Sequence, residues 1–165
     1  MILRHLFKAK PGKAEAVYAV IVAASRQPHF YADLDVPDTV DGRFDMLVLH
    51  LTLVVSRLKG QDDTLRQQLI DHFCIDMDDN LRELGAGDLS VSKKVRRMAE
   101  AFQGRYNAYE GAQDHLKMSA ALERNVYAGK VHKGCVELTE YVLNARKQLQ
   151  QKSKEEIAAG NFQFA

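Results

Sequence analysis

The sequence predicts an all-α protein, and three observations support that fold class. Apolar residues recur at intervals of three and four along most of the 165 residues, and few segments show the alternation of a half-buried strand. The prolines, Pro11, Pro28 and Pro37, all lie in the first quarter of the chain, so the remainder is free to be helical. Glycines separate the later apolar runs. We therefore predict a single compact domain over residues 1–165, with about six helices and a central antiparallel helical hairpin.

Two helices are predicted in the first third of the chain. The first covers about Lys13 to Arg26 and ends at Pro28, which lacks a backbone donor. An irregular, turn-rich link from His29 to Asp41 follows, and such loops often carry function. The second helix, about Arg43 to Lys59, is apolar on most sides, which is typical of a helix at the centre of a domain.

The central hairpin is predicted from a third and a fourth helix. The third covers Thr64 to Leu84 and ends at the turn that contains Gly85 and Gly87. Asp88 or Ser90 can then cap the fourth helix. The apolar face of that fourth helix consists of Val91, Val95, Met98 and Phe102.

The C-terminal third is predicted to contain two more helices. A kink or break is expected near Gly111, before a helix over Asp114 to Tyr127. The last helix covers about 135–159 and becomes polar in its second half (RKQLQQKSKEE), so we expect that half to project beyond the core. Phe162 and Phe164 follow in a short tail, where they either dock on the core or bind a partner.

The formal net charge of +1 hides a segregation of charge along the chain. Residues 61–90 contain eight acidic and two basic side chains, whereas residues 91–133 contain nine basic and four acidic ones. This asymmetry favours either pairing within the chain or a charged partner surface.

A basic cluster on the fourth helix is the first candidate site. Lys93, Lys94, Arg96 and Arg97 face away from the apolar side of the helix, and Arg105 follows further along it. Cations near a helix N-terminus oppose the helix dipole, so local stability does not explain the cluster. Three interpretations stay open: a solvated face, pairing with the acidic third helix, or contact with an acidic surface such as RNA, the ribosome or anionic lipid.

Aromatic residues on the same helix form a second candidate. Phe102, Tyr106 and Tyr109 recur at intervals of four and three, which is more typical of a core stripe than of a contact surface. If Tyr106 and Tyr109 reach the surface beside the basic cluster, the mixed patch is suited to gripping a peptide or RNA.

Catalysis is not indicated by the residue patterns. No serine or cysteine occurs with a matching base in a recognisable catalytic motif, and the glycines do not form a phosphate-binding loop. Cys74 and Cys135 are far apart in apolar helical patterns, so we expect reduced, buried thiols. We predict no enzyme activity and no cofactor.

Metal and haem binding are both disfavoured. The third helix carries His72, Asp76, Asp79 and Glu83 on one stripe, but the Glu-x-x-His motifs of helical di-metal sites are missing. A solvated acidic face that faces the basic helix is the preferred interpretation, and we predict no metal site. His50 lies in the most apolar helix, where a hydrogen-bonded core histidine is favoured over a haem ligand.

A cytoplasmic location is predicted from two features. The most apolar run, Met46 to Val55, is far shorter than the ~20 residues of a membrane-spanning helix. Met1 to Lys10 lacks the long apolar stretch and cleavage site of a secretory signal.

Two runs resemble a known family. They are Val36 to Leu53 (VPDTVDGRFDMLVLHLTL) and Asp76 to Tyr109 (DMDDNLRELGAGDLSVSKKVRRMAEAFQGRYNAY). Their elements GRFDM, LH, DMD, LRELG, GDLSV, KKV, AEAF, GR and AY have the order and spacing of the ubiquinol-cytochrome c chaperone family, over a core of about residues 30–111.

The resemblance implies a non-enzymatic assembly chaperone that binds newly synthesised cytochrome b before it joins complex III, the ubiquinol-cytochrome c reductase. Mitochondrial members associate with the ribosome and act with a small helical partner. We hypothesise that the basic helix docks on RNA or on headgroups of the inner membrane while an apolar groove flanked by the 30–41 loop receives the client. The predicted client contacts are Phe30, Tyr31, Val36, Pro37, Tyr106 and Tyr109. An RNA- or ribosome-binding module and a helical oligomeric scaffold remain as alternatives.

Overall fold

The computed structural model describes residues 12–164, which form eight α-helices and no strand. Six of these helices have 11 or more residues, and two have five. The helices are α1 (Lys13–Ser25), α2 (Pro28–Ala32), α3 (Val40–Leu58), α4 (Asp63–Glu83), α5 (Asp88–Gly111), α6 (His115–Asn125), α7 (Gly134–Gln151) and α8 (Lys154–Ala158). The predicted all-α class is confirmed, and the prediction for Met1 to Lys10 lies outside the described residues.

Helix α3 lies at the centre of the fold. Thirteen of its 19 residues are buried, and α1, α4, α5 and α7 all pack against it. Its apolar character on most sides, noted in the sequence, follows from this position. The helix begins where the Thr39 side chain accepts a hydrogen bond of 3.1 Å from the backbone N–H of Gly42.

The predicted antiparallel hairpin is formed by α4 and α5, which pack against each other. Gly85 adopts a positive φ of 81° in the turn, a conformation that glycine tolerates without strain. The predicted caps are wrong, because the N-cap of α5 is Gly87 and Asp88 is already helical. Arg82 near the end of α4 pairs with both Asp78 and Asp88, so it joins the two helices across the turn.

The link between α1 and α3 is more ordered than its sequence suggests. Pro28 follows the end of α1 and is also the first residue of α2. At that position its missing N–H is not needed, because the first N–H groups of a helix have no partner within the helix. The Tyr127 hydroxyl donates a hydrogen bond of 2.8 Å to the carbonyl oxygen of Leu34. A Cβ atom on Gly42 would lie 1.9 Å from the carbonyl oxygen of Pro37, so only glycine permits this approach. Close packing therefore fixes residues 33–39 in place.

The predicted last helix, 135–159, is divided into α7 and α8. Ser153 and Glu156 form a capping box at the start of α8. The polar half does not project from the core, because Leu149 is buried in α7 and Ile157 in α8. Arg146 turns inward and donates to the backbone carbonyl oxygens of Tyr109 and Ala112 at the end of α5. The polar half of the predicted helix thus includes side chains that hydrogen-bond to the ends of helices.

An aromatic cluster closes the fold on one side of α3. His50 is fully buried, its Nδ1 donates to the carbonyl oxygen of Met46 at 2.7 Å, and its Nε2 accepts from the Tyr141 hydroxyl at 2.8 Å. The rings of Phe30 and Phe164 pack against the imidazole with centroid distances of 5.5 and 4.8 Å. Burial lowers the pKa of His50 to about 4, so the imidazole is neutral. The interpretation of His50 as a hydrogen-bonded core histidine is confirmed. Phe164 in the C-terminal tail docks on the core beside it.

Candidate functional site

Two adjoining cavities lie at the N-terminal end of α3, and both contact Phe44 and Met98. We call the first the apolar groove; it has a volume of about 400 Å³. Its lining is Ser25, Arg26, Val40, Arg43, Phe44, Leu47, Asp76, Met77, Asn80, Leu81, Glu83, Leu84 and Met98. The second, the basic cleft, has a volume of about 530 Å³ and contains Arg97, Arg105 and Arg124. The apolar groove and the basic cleft share Phe44 and Met98 in their walls.

The apolar groove exposes side chains that a folded protein normally buries. Val40 at the start of α3 is 69% exposed, and Leu84 after α4 is 73% exposed. Met77 and Met98 contribute flexible, polarisable thioethers, which can adapt to different partner side chains. Exposed apolar residues grouped around a concave surface are typical of a binding site.

The basic cleft joins residues that are distant in the sequence. Its walls come from Pro37 and Thr39 before α3, Asp41 in α3, Arg97 in α5 and Arg124 in α6. The exposed Arg97 and Arg124 have no carboxylate within 4.0 Å among the residues that the structure describes. Their guanidinium groups are therefore available to an anionic ligand.

Arg105 has a different role from the other two arginines. Its Nη2 lies 2.7 Å from Oδ1 of Asp45, and its guanidinium lies over the ring of Phe44 with a distance of 5.5 Å to the centroid. Asp45 is only 7% exposed. Burial raises the pKa of Asp45 to about 6, against the opposing attraction of Arg105. Arg105 is thus held by a buried carboxylate and does not belong to the outward basic cluster that the sequence predicted.

The rest of the basic cluster is exposed as predicted. Lys93, Lys94, Arg96 and Arg97 all face solvent, and Arg96 pairs with Glu100 one turn further along α5 at 3.2 Å. No ion pair within the described part of the chain links these four residues to α4. Pairing with the acidic helix is therefore wrong for them, and a solvated face or a partner surface remains.

Four predicted client contacts come from the 30–41 loop. Phe30 and Val36 are buried in the core and present no accessible side chain, so the structure does not place them on a contact surface. Tyr31 is half-buried, and its hydroxyl donates to the carbonyl oxygen of Ser25 at 2.9 Å. Pro37 is exposed and lines the basic cleft. Tyr31 and Pro37 thus remain predictions for client contact.

The other two predicted contacts, Tyr106 and Tyr109, do not reach the surface. Tyr109 is fully buried and Tyr106 is almost so, since the guanidinium of Arg66 lies over the Tyr106 ring at 5.7 Å. The core interpretation, which their spacing favoured, is confirmed. A contact patch of these tyrosines beside the basic cluster is wrong because both rings pack inward.

Three residues of the two cavities were missed by sequence reasoning. Val40 stands at the start of α3, outside the main apolar stripe, which is a signal that could have been used. Leu84 continues the apolar spacing of Met77 and Leu81, so the sequence predicts it in the core stripe of α4; this prediction is wrong, because Leu84 lies after the end of α4 and is exposed. Arg124 is far from the basic cluster in the sequence and meets it only through the packing of α6 on α5. No local pattern indicates that contact.

The described residues also bear on metal ligation and membrane insertion. No group of three or more His, Cys, Asp or Glu side chains within residues 12–164 is arranged to hold a metal ion. None of the helices in that range is both long enough and apolar enough to cross a bilayer. Cys135 is buried as expected, whereas Cys74 is only half-buried; both thiols are free.

The fold and the two cavities define a helical protein whose accessible features are those of a binding surface. Comparison with family models matches residues 32–164 to the Ubiquinol-cytochrome C chaperone family, and the chain belongs to this family. The crystal structure of the Cbp3 homolog from Brucella abortus is similar, with a TM-score of 0.84 and 41% sequence identity over 93% of this chain and 88% of that chain. Comparison with curated proteins gives no significant match. The predicted resemblance is confirmed and extends beyond the 30–111 core.

Proposed function

We propose that this protein is a non-enzymatic assembly chaperone that holds newly synthesised cytochrome b until it joins complex III. Membership of the ubiquinol-cytochrome c chaperone family supports the general role. The observation that carries the specific role is the apolar groove, with Val40 and Leu84 exposed at its rim. A client that is destined for the membrane presents apolar segments, and such a groove shields apolar side chains from water.

The size of the groove limits what it holds. About 400 Å³ accommodates a few large side chains rather than a complete helix. The methionines Met77 and Met98 let the walls adjust, since thioether side chains repack at little cost. The protein therefore grips one short part of an apolar client segment, and such partial contact is compatible with later release.

The basic cluster supplies a second contact in this proposal. Lys93, Lys94, Arg96 and Arg97 are exposed on α5, next to the cavities. They are suited to an anionic surface near the site of client synthesis, either ribosomal RNA or lipid headgroups of the inner membrane. The chain then works as a cytoplasmic protein with peripheral membrane contact.

The test uses the tagged protein in a respiring cell, with the double variant Val40→Ser, Leu84→Ser. We expect the wild type to co-purify with cytochrome b under mild detergent and the variant to lose most of it, with a lower level of assembled complex III. The matched control is Leu116→Ser, Val131→Ser, which removes equally exposed apolar residues outside both cavities. Equal recovery of cytochrome b with all three proteins would contradict the groove as the client site.

RNA or ribosome binding is a second candidate function. It is favoured by Lys93, Lys94 and Arg97, which have no carboxylate within 4.0 Å in the described part of the chain. Co-sedimentation with ribosomes at increasing salt is the measurement, with charge reversal of the basic cluster as the variant. Ribosome binding that persists after charge reversal would exclude the cluster as the contact. Light scattering separates both functions from an oligomeric scaffold.

A further inference from the structure

The apolar groove and the basic cleft meet at a shared wall. Phe44 of α3 and Met98 of α5 line both cavities, so a segment that lies across these two side chains contacts both cavities. The apolar groove combines apolar side chains with equal numbers of positive and negative groups, whereas the basic cleft contains three arginines and two carboxylates. The net charge of the lining residues therefore becomes more positive from the apolar groove to the basic cleft.

The cationic end has a specific charge arrangement. Arg105 is neutralised by the buried Asp45, and the carboxylate of Asp41 also lines the cleft. Arg97 and Arg124, on α5 and α6, are exposed without a carboxylate within 4.0 Å in the described chain. Two guanidinium groups on separate helices can each take one carboxylate in a forked geometry.

We propose that the segment held here is amphipathic, with apolar residues in the apolar groove followed by Asp or Glu residues that bind Arg97 and Arg124. This inference rests on the proposed function, because it specifies the chemistry of the segment that the groove receives. Single carboxylates fit better than a polyphosphate, since the exposed carboxylate of Asp41 in the same cleft repels densely charged anions.

A peptide also fits the edge of the groove better than a lipid does. Its lining carries both signs of charge, with Arg26 and Arg43 together with Asp76 and Glu83. A mixed rim is suited to the polar side chains and backbone of a peptide, whereas it offers no net positive charge to an anionic bilayer. The occupant is thus a protein segment with apolar residues at one end and acidic residues at the other.

The test measures fluorescence anisotropy of two labelled synthetic peptides against the full chain. The peptides are helical over about four turns, share the same apolar face, and end in either three Glu or three Lys residues. We expect the Glu-ended peptide to bind about five- to tenfold more tightly, since two guanidinium–carboxylate pairs contribute modestly each at an exposed site. The double variant Arg97→Glu, Arg124→Glu should reverse the preference.

The matched control is Lys130→Glu, Lys147→Glu, which makes the same charge change at exposed positions that line neither cavity. It should keep the preference for the Glu-ended peptide. Circular dichroism checks that each variant stays helical. A preference that the control abolishes as completely as the arginine variant would overturn the inference, because the effect would then come from net charge.

Other outcomes separate the inference from the proposed function. Equal binding of both peptides, lost in Val40→Ser, Leu84→Ser, would refute the acidic preference and leave the groove as a client site. Binding of neither peptide would count against both the acidic preference and the apolar groove as the client site. Binding of phosphatidylglycerol vesicles that depends on Arg97 and Arg124, without discrimination between the peptides, would assign the cleft to a lipid surface and overturn the peptide occupant.

Discussion

Two polar residues of α3, His50 and Asp45, are buried in opposite ways. His50 is neutral, both of its ring nitrogens are hydrogen-bonded, and aromatic rings seal it. We call its cluster with Phe30, Tyr141 and Phe164 the closed region. Asp45 instead pairs with Arg105 beside the apolar groove and the basic cleft, which together form the open region. Neutral hydrogen bonds complete a core at low cost, whereas a buried charge pair carries a desolvation cost that the attraction between the two charges must offset.

The largest predicted effect is in the closed region. Phe164→Ala should lower the unfolding free energy by about 3–5 kcal/mol, because it removes a buried ring that packs on His50. Urea unfolding followed by circular dichroism measures the change. The control Val131→Ala, at an exposed position, should stay within about 0.5 kcal/mol. An unchanged midpoint for Phe164→Ala would show that the tail is not part of the core.

The second effect concerns the ion pair of the open region. Arg105→Met should cost about 3 kcal/mol at neutral pH, because it leaves the buried carboxylate of Asp45 without its partner. Asp45→Asn should cost less than about 1 kcal/mol, since it removes the charge whose burial is unfavourable. Chemical denaturation of both variants gives the comparison. Equal losses of unfolding free energy in the two variants would contradict the prediction that removing Arg105 costs more than removing the charge of Asp45.

The third effect is a pH dependence in which the two regions oppose each other. The pKa of Asp45 is raised to about 6, so its contribution to stability is present at low pH and is lost as the pH rises through 6. The pKa of His50 is lowered to about 4, so its contribution is present above its ordinary value of 6.5 and is lost as the pH falls toward 4. Between about pH 4 and 6 the two slopes offset each other.

Asp45→Asn should remove the opposing contribution, so that the pH dependence of the unfolding free energy reflects the titration of His50. We expect the unfolding free energy of this variant to rise with pH between 4 and 6 by about 2–3 kcal/mol more than that of the wild type. Urea denaturation at several pH values provides the data. Parallel profiles of the variant and the wild type would show that Asp45 titrates at its ordinary pKa.

The smallest predicted effect on stability is at the groove itself. Val40→Ser and Leu84→Ser should each change the unfolding free energy by less than about 0.5 kcal/mol, because both side chains already face solvent. Thermal melting checks this. A loss of several kcal/mol would assign these residues to the core and remove the basis for a preformed binding surface.

The helical framework was partly predictable from the sequence, and the arrangement of the open region was less so. Period and apolar content identified α3 as central, and the Gly85 turn identified the α4–α5 hairpin. The Ser153 and Glu156 pattern of a capping box was also available, and it marks the start of α8. These features depend on residues that are close in sequence.

The open region depends on contacts between distant residues. Asp45 meets Arg105 and Arg124 joins Arg97 only after α3, α5 and α6 pack together. A helical wheel showed that Arg97 faces outward but could not show what lies opposite it. The same limitation explains Tyr106 and Tyr109, whose burial depends on neighbouring helices.

The docking of Phe162 and Phe164 has a consequence for the synthesis of the protein. Both rings are buried, and Phe164 packs on His50 in the central helix. The core is therefore incomplete until Phe162 and Phe164 have left the ribosome, and the packing around His50 cannot form before that point. A product that stops before Phe162 lacks this closure and exposes apolar core to proteases.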